Sequence, residues 1–384
     1  MAWSRDSSSR ATNKRPSDRD AVTASGEPAP THEPGPVRGE DSFDVARLDR
    51  WLRERVDGLT GPPEVRQFTG GASNLTYLLR YPERDLVLRR PPPGTKAATA
   101  HDMRREAEIQ RRLRPVYPYV PELLAFCEEH DVLGSDFYVM ERIAGTILHG
   151  RGRQEIDLPA STARGICEAW VDRFVELHRV DVSADALADL GRGEGYVERQ
   201  IRGWSERYRE ARTWNVPRFT RVMRWLAENQ PPDGASCIVH NDFRLDNVVL
   251  DPGDPPRIVG VLDWEMATVG DPLMDLGNSL AYWVQADDDR VMQLLRRQPT
   301  HLPGMLTRSR LVERYCEAIG IEPPALAFYE VYGLFRLAVI IQQIYRRYHR
   351  RETRNPAFRH YWLAVAYLDR RCRRLIERAG VCKG

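Results

Sequence analysis

The stretch "CIVHNDFRLDNVVL" (Cys237–Leu250) sets His240, Asp242, Arg244, Asp246 and Asn247 between two apolar runs. The runs at 237–239 and 248–250 read as short strands around a polar loop. Crowding charged groups between buried strands costs folding free energy, so the loop asks for a chemical explanation. Sixteen residues past Asn247 comes Asp263, ending the apolar strand pattern "IVGVLD". A carboxylate, an amide and a second carboxylate leaving buried strands suit phosphoryl transfer. One carboxylate orients the attacking hydroxyl and accepts its proton, while the amide and the other carboxylate hold Mg²⁺ against phosphates.

Upstream, "VRQFTGGASNLTYLLRY" (Val65–Tyr81) has two alternating runs around Gly70-Gly71, a β-hairpin pattern. "DLVLRRPPP" (Asp85–Pro93) is a strand stopped by prolines, and Ala100–Leu113 is a charged helix. Val120–Gly145 reads as two strands joined by a polar turn at 128–136. Helical periodicity then dominates, over 160–180, 195–212, 217–229, 275–284, 311–319, 329–348 and 359–379. One strand, 257–265, interrupts it. His178 reads as a helix-end residue, and the aromatic group Trp204, Tyr208, Trp214 and Trp225 as core. The expected class is α+β: a small antiparallel sheet with one helix, then a large helical lobe, with a cleft between. Residues 1–43 are polar and Pro/Gly-rich and read as a disordered tail. The first lobe is placed at 44–144 and the second at 145–384.

With 384 residues, 42% of them hydrophobic, the chain has ample material for such a core. A net charge of +2 gives no general case for nucleic-acid binding. Of the 57 basic residues only Lys14, Lys96 and Lys383 are lysines, so arginine at any one site is partly compositional. Six scattered cysteines form neither a CxxC nor a zinc pattern and read as free thiols in a reducing compartment. No apolar run approaches the ~20 residues of a membrane span, and the N-terminus lacks a signal-peptide core. A cytoplasmic protein with neither membrane nor nucleic-acid partner is expected.

The order H-x-D-x-x-x-x-N, followed by a strand-ending Asp, resembles the protein-kinase-like superfamily. "HNDFRLDN", "VLDWE" and "GDPLMDL" resemble its aminoglycoside phosphotransferase branch, shared with choline kinases, over about residues 60–345. The resemblance implies ATP and Mg²⁺ as cofactors. It implies Asp242 as catalytic aspartate, Asn247 and Asp263 as metal ligands, Arg244 as a phosphate contact, and His240 as a residue bracing the loop. Asp275 would hold that loop by its backbone, with Asp271 structural. Gly70, Gly71, Ser73 and Asn74 would cradle the nucleotide phosphates. Arg89 stands where the family more often has a strand lysine, with Glu106 as its helix partner and Glu108 as the alternative. Glu141–Ile143 would form the adenine-binding hinge.

Asp263 is followed by Trp264-Glu265, and "GDPLMDL" comes almost at once, leaving little room for a peptide-docking loop. A small-molecule acceptor is therefore expected. Arginines beyond Asp289 (Arg290, Arg296, Arg297, Arg336, Arg346, Arg347, Arg350, Arg351) favour an anionic acceptor if several line the cleft. The motifs also look similar to kinase-like domains associated with acyl-CoA dehydrogenases, which implies a hydroxyacyl-CoA acceptor and a functional link to such a dehydrogenase. The alternative is an aminoglycoside or macrolide phosphotransferase. A nucleotide-binding pseudokinase scaffold is a third reading, and the complete Asp242/Asn247/Asp263 set speaks against it.

Overall fold

The structure is a computed structural model. It describes residues 34–68, 74–92, 103–148, 156, 158–183, 187, 189–232, 234, 236–323 and 325–381. The expected Gly70, Gly71 and Ser73 lie outside these.

The N-terminal lobe is a five-stranded sheet in the order β1-β2-β3-β5-β4, antiparallel throughout. Its strands are β1 (Glu64–Gln67), β2 (Leu75–Arg80), β3 (Asp85–Arg90), β4 (Leu123–Cys127) and β5 (Phe137–Glu141). Strand alternation gives the sheet two working faces. Leu86 and Leu88 of β3 join Tyr77, Leu79, Phe137 and Val139 on one face, against Leu48, Trp51 and Leu52 of α1 (Val45–Arg53). Val87, Tyr138 and Met140 turn to the other face, against Met103 and Ala107 of α2 (Met103–Leu113). Arg89 shares the parity of Val87, so it faces α2 and the cleft.

Two expectations are corrected in this lobe. The tail does not extend to residue 43, because Gly35 pairs with Gln67 and buried Asp41 accepts from Gln67 Nε2 at 2.8 Å. These polar contacts, with Val37 and Phe43 packed against the core of the lobe, give residues 34–43 a place on the sheet edge. The turn at 128–136 also contains a single helical turn, α3 (His130–Leu133), closed by Gly134 in the left-handed region.

The second lobe is built on helices α4 (Ala160–His178), α5 (Tyr196–Ala211), α6 (Thr220–Glu228), α7 (Pro272–Tyr282), α8 (Arg290–Leu295), α9 (Arg308–Ile319), α10 (Ala327–His349) and α11 (Tyr361–Val381). Four short strands are set among them: β6 (Cys237–Val239), β7 (Val248–Leu250), β8 (Ile258–Val261) and β9 (Thr268–Gly270). β6 pairs with β9 and β7 with β8, both antiparallel. β9 and α8 are too short for periodicity to have marked them. α7 starts earlier than its periodicity suggests, because Asp271 caps it through Met274 N–H at 2.8 Å and Pro272 fits the first turn. After β5 the chain enters this lobe at Thr146, which exchanges backbone hydrogen bonds with Leu250 at 2.9 and 2.8 Å. Among the described residues no helix is long and apolar enough to cross a membrane.

Candidate active site

The β6–β7 connection is held from beneath by Asp275. Its Oδ2 accepts the backbone N–H of His240 at 2.5 Å, and its Oδ1 that of Asn241 at 2.8 Å. Asp275 is fully buried on α7, and His178 at the end of α4 reaches the same carboxylate, Nε2 to Oδ2 at 3.4 Å. His178 Nδ1 lies 2.6 Å from the Tyr315 hydroxyl. Nothing local in "VELHRV" marks this role, since the partners are 97 and 137 residues away in sequence. Asn241 takes a left-handed conformation, φ 63°, which asparagine tolerates. Its side-chain oxygen accepts from Tyr196 Oη at 3.2 Å and Asn278 Nδ2 at 3.0 Å, and its Nδ2 donates to Met266 O at 3.1 Å. Buried Gln298 accepts Leu245 N–H at 2.7 Å. Tyr196, Asn278 and Gln298 were all missed, for the same reason as His178.

His240 braces the loop from within. Its ring Nε2 lies 3.0 Å from Leu262 O, and its Nδ1 is 3.2 Å from Asp242 N. A backbone N–H must donate and a carbonyl must accept, so the ring is neutral with its proton on Nε2. Burial lowers its pKa, which agrees with that state.

Asp242 and Asn247 then meet directly. Asn247 Nδ2 donates to Asp242 O at 2.8 Å and to Asp242 Oδ2 at 3.0 Å. Arg244 Nη2 adds an ion pair to the same Oδ2 at 3.2 Å. Two donors thus converge on Oδ2 and leave Oδ1 of Asp242 uncommitted among the described residues. Arg244 also lies 3.2 Å from Asp246 and stacks on Tyr282, its Cζ 4.6 Å from the ring centroid. Burial works against the Arg244 charge, but Asp242 and Asp246 more than offset it. Asp246 is pushed up to about 6 by burial, with Arg244 opposing.

Across the cleft, Arg89 Nη1 lies 2.6 Å from Glu106 and Nη2 3.1 Å from Asp263. Glu106 is buried because α2 turns Met103, Glu106, Ala107 and Gln110 to one side. Glu108, the alternative, is on the outer face and pairs with Arg111 and Arg112. Burial pushes Glu106 up and Arg89 opposes the shift. Asp263 has φ 71° and ψ 60°, a strained conformation for a non-glycine residue. It sits beyond the strand end, not within the strand expected over 257–265. Asn74, buried just before β2, lies 3.4 Å from Glu265 on the loop that follows Asp263. Arg105 of α2 donates to Glu265 O and Ala267 O of that loop.

Glu141 and Ile143 lie where the lobes join. The Glu141 side chain is engaged, accepting Glu122 N–H at 2.9 Å. Ile143 packs on β8, where a Cβ at Gly260 would come within 2.6 Å of Ile143 Cδ1. Its backbone makes no hydrogen bond among the described residues.

The donor set fits Mg²⁺. With Asn247 Nδ2 committed to Asp242, the amide oxygen is the atom left for a cation, and Arg89 occupies only Oδ1 of Asp263. Among the described residues no group of three or more His, Cys, Asp or Glu could hold a metal alone. Mg²⁺ with nucleotide needs none, since it binds through one or two carboxylates plus phosphates.

The C-lobe arginines expected to gather at the cleft differ widely in exposure and partners. Arg290, Arg347, Arg350 and Arg351 are exposed, Arg296 and Arg297 bond Gln293 and Tyr361, and Arg346 is half-buried near the C-terminal end of α10. Only Arg336 is buried. Trp204 and Tyr208 are buried as expected of core, whereas Trp214 is exposed.

Residues 64–320 match the model of the phosphotransferase enzyme family. The chain is 34% identical over 318 residues to mouse acyl-CoA dehydrogenase family member 10, covering 81% of this chain. It spans 29% of that relative's length. A Ralstonia eutropha protein assigned as an aminoglycoside phosphotransferase superposes with a TM-score of 0.73 at 27% identity, over 88% of this chain and 99% of its own. A thermostable aminoglycoside phosphotransferase, solved as a ternary complex with AMP-PNP and hygromycin B, shares the fold. Its TM-score is 0.55 at 18% identity, covering 87% of this chain and 98% of its own. With the family model covering most of the two lobes and the loop geometry in place, this chain belongs to the phosphotransferase enzyme family.

Proposed function

We propose that this chain is a Mg-ATP-dependent O-phosphotransferase whose acceptor is the hydroxyl of an anionic small molecule, with hydroxyacyl-CoA thioesters the favoured class. The observation that carries the reading is the Asp242 carboxylate, pinned at Oδ2 by Asn247 and Arg244 with Oδ1 uncommitted. Bound Mg-ATP supplies the phosphoryl group and the metal's neutralising charge. Asp242 Oδ1 orients the acceptor hydroxyl and takes its proton as its oxygen bonds to the γ-phosphorus and the bond from that phosphorus to the departing ADP breaks. Asn247 Oδ1 and Asp263 Oδ2 are the ligands offered to the metal. Arg89, positioned by Glu106, grips the nucleotide phosphates, and Arg244 stabilises charge on the transferring group. Gly70, Gly71, Ser73 and Asn74 are the residues we assign to the nucleotide phosphates. The backbone at Glu141–Ile143 receives the adenine, and the uncommitted Ile143 backbone suits that role. His240 and Asp275 hold Asp242 in place.

The acyl-CoA class is supported by the relative's name and by the Arg244 guanidinium, which stacks on Tyr282 beside the Asp242 carboxylate. A polycationic aminoglycoside would ask for the opposite charge. The free thiols of the five described cysteines suit a reducing, cytoplasmic setting.

The test is a panel with radiolabelled ATP, comparing 3- and 4-hydroxyacyl-CoAs with aminoglycosides and macrolides. Asp242→Asn is expected to lower kcat by about 10³-fold, the scale of a lost general base, with Mg-ATP affinity unchanged. Near-normal turnover in that variant would remove the mechanism. Transfer to antibiotics alone would remove the acceptor class.

A further inference from the structure

We propose that Arg336 is the anion anchor of the acceptor site, holding a carboxylate or phosphate oxygen of the acceptor while Asp242 receives its hydroxyl. This rests on the phosphotransferase reading and names the part of the acceptor that the site selects.

Two arginines are buried among the described residues, Arg90 and Arg336. Arg90 is committed, with Nε 3.2 Å and Nη2 3.0 Å from Tyr77 Oη, and Nη2 donating to Asp41 O at 2.5 Å. Arg336, 3% exposed on α10, donates to no oxygen and meets no carboxylate among the described residues. Its charge is met by the Trp204 ring, with Cζ 5.1 Å from the centroid. Arg207 lies 4.8 Å from the same ring, adding a second positive charge. Burying a cation costs far more than one cation–π contact returns. The Arg336 nitrogens are not among the sealed polar atoms that lack a partner. They therefore keep a small contact with solvent.

Arg336 follows Gly333 by three residues on α10, and a Cβ at Gly333 would lie 3.2 Å from Ala281 Cβ, next to Tyr282. The Tyr282 phenol lies in the combined field of Asp242, Arg244, Arg336 and Asp246, and Arg244 stacks on its ring. Tyr196 donates to Asn241 and also feels Arg336. Both tyrosines also touch the loop, Tyr282 through Arg244 and Tyr196 through Asn241. The nearby hydroxyls are engaged elsewhere, that of Tyr196 by Asn241 and that of Tyr332 by Gln200 at 3.5 Å. An oxyanion of the acceptor would give the guanidinium the partner the fold withholds, through its planar fork of donors.

The test is calorimetric titration of the full chain, with and without Mg-ADP, using three probes. Coenzyme A offers phosphates, 3-hydroxybutyrate offers a carboxylate, and 3-hydroxybutyramide is the uncharged control. The wild-type chain is expected to bind at least one anionic probe. Arg336→Met should weaken that binding tenfold or more, leaving the amide probe and Mg-ATP binding unchanged. The probe that responds identifies the anion as phosphate or carboxylate. Arg336→Lys keeps the charge but loses the fork, so an intermediate affinity is expected. It decides the matter if Arg336→Met does not fold. Absence of saturable anion binding to the wild-type chain, or wild-type anion affinity in Arg336→Met or Arg336→Lys, overturns the proposal. Failure of the wild-type chain to bind Mg-ATP would count against the phosphotransferase reading alone, because the nucleotide-free titrations read the anion site separately.

Discussion

The Arg89 guanidinium and the Asp263 carboxylate meet at 3.1 Å, joining a strand of the small lobe to the loop beyond β8. The other arm of the same group holds Glu106 at 2.6 Å. A lysine offers a point charge where arginine offers a fork, so one lysine would not span both carboxylates in this geometry. Arg89→Met is expected to lower kcat/KM for Mg-ATP about 100-fold, the scale of one lost phosphate-facing donor. Arg89→Lys should retain most of the activity, because the charge facing the phosphates survives. Steady-state kinetics at varied ATP checks both. An unchanged kcat/KM in Arg89→Met would show that the cation does not face the nucleotide.

Asp275 accepts two backbone N–H groups of the loop and stands against His178. Asp275→Ala would leave these donors buried without an acceptor, at a cost of about 3–5 kcal/mol. Asp275→Asn restores one acceptor but turns amide hydrogens toward a backbone N–H, so it should recover only part of the loss. Urea unfolding measures both, and kcat should fall alongside stability because the loop carrying Asp242 loses its support. A loss below about 1 kcal/mol in Asp275→Ala would show that water satisfies these groups.

What was legible in the sequence follows from how local each signal is. Asp242, Asn247 and Asp263 stand at short spacings beside apolar runs, and the structure brings them to one cleft as their order suggests. Arg89 and Glu106 were legible too, because strand parity and helix periodicity decide which face each takes. His178, Tyr196, Asn278 and Gln298 hold the same loop from distant helices. Each is an ordinary polar residue in its own helix or turn, and only tertiary packing gives it a partner. The packed segment 34–43 escaped because Val37 and Phe43, which pack on the small-lobe core, are scattered in a composition that matches a tail.

His240 supplies a pH dependence with a definite sign. Burial lowers its folded pKa below the ordinary value of about 6.5. The unfolded chain therefore takes up this proton first as pH falls. Its contribution to stability is complete above about pH 6.5 and declines below it, by at most about 1.4 kcal/mol per pH unit. His240→Asn keeps an acceptor near the Nδ1 position and cannot titrate. Between pH 7.5 and 5 the wild-type chain should lose more stability than this variant in urea unfolding. Equal losses would mean that His240 does not set the slope.

Glycines set how closely α7 and α10 approach. A Cβ at Gly333 would come within 2.7 Å of the Gly277 carbonyl carbon, and one at Gly277 within 2.6 Å of Tyr329 O. Both obstacles are backbone, so neither can rotate away. Gly333→Ala must push the helices apart and should cost about 2–3 kcal/mol, the range for overpacking a filled interior. The displaced helix, α7, carries Asp275 and Asn278, both hydrogen-bonded to the loop, so kcat should drop with stability. Gly380→Ala in α11 is the control, because a Cβ there meets nothing within 4 Å. Helix propensity alone should make that variant stabilising by up to about 1 kcal/mol. A Gly333→Ala chain with wild-type stability and turnover would show that α7 can shift without disturbing Asp275, and that the close crossing does not hold the catalytic loop in place.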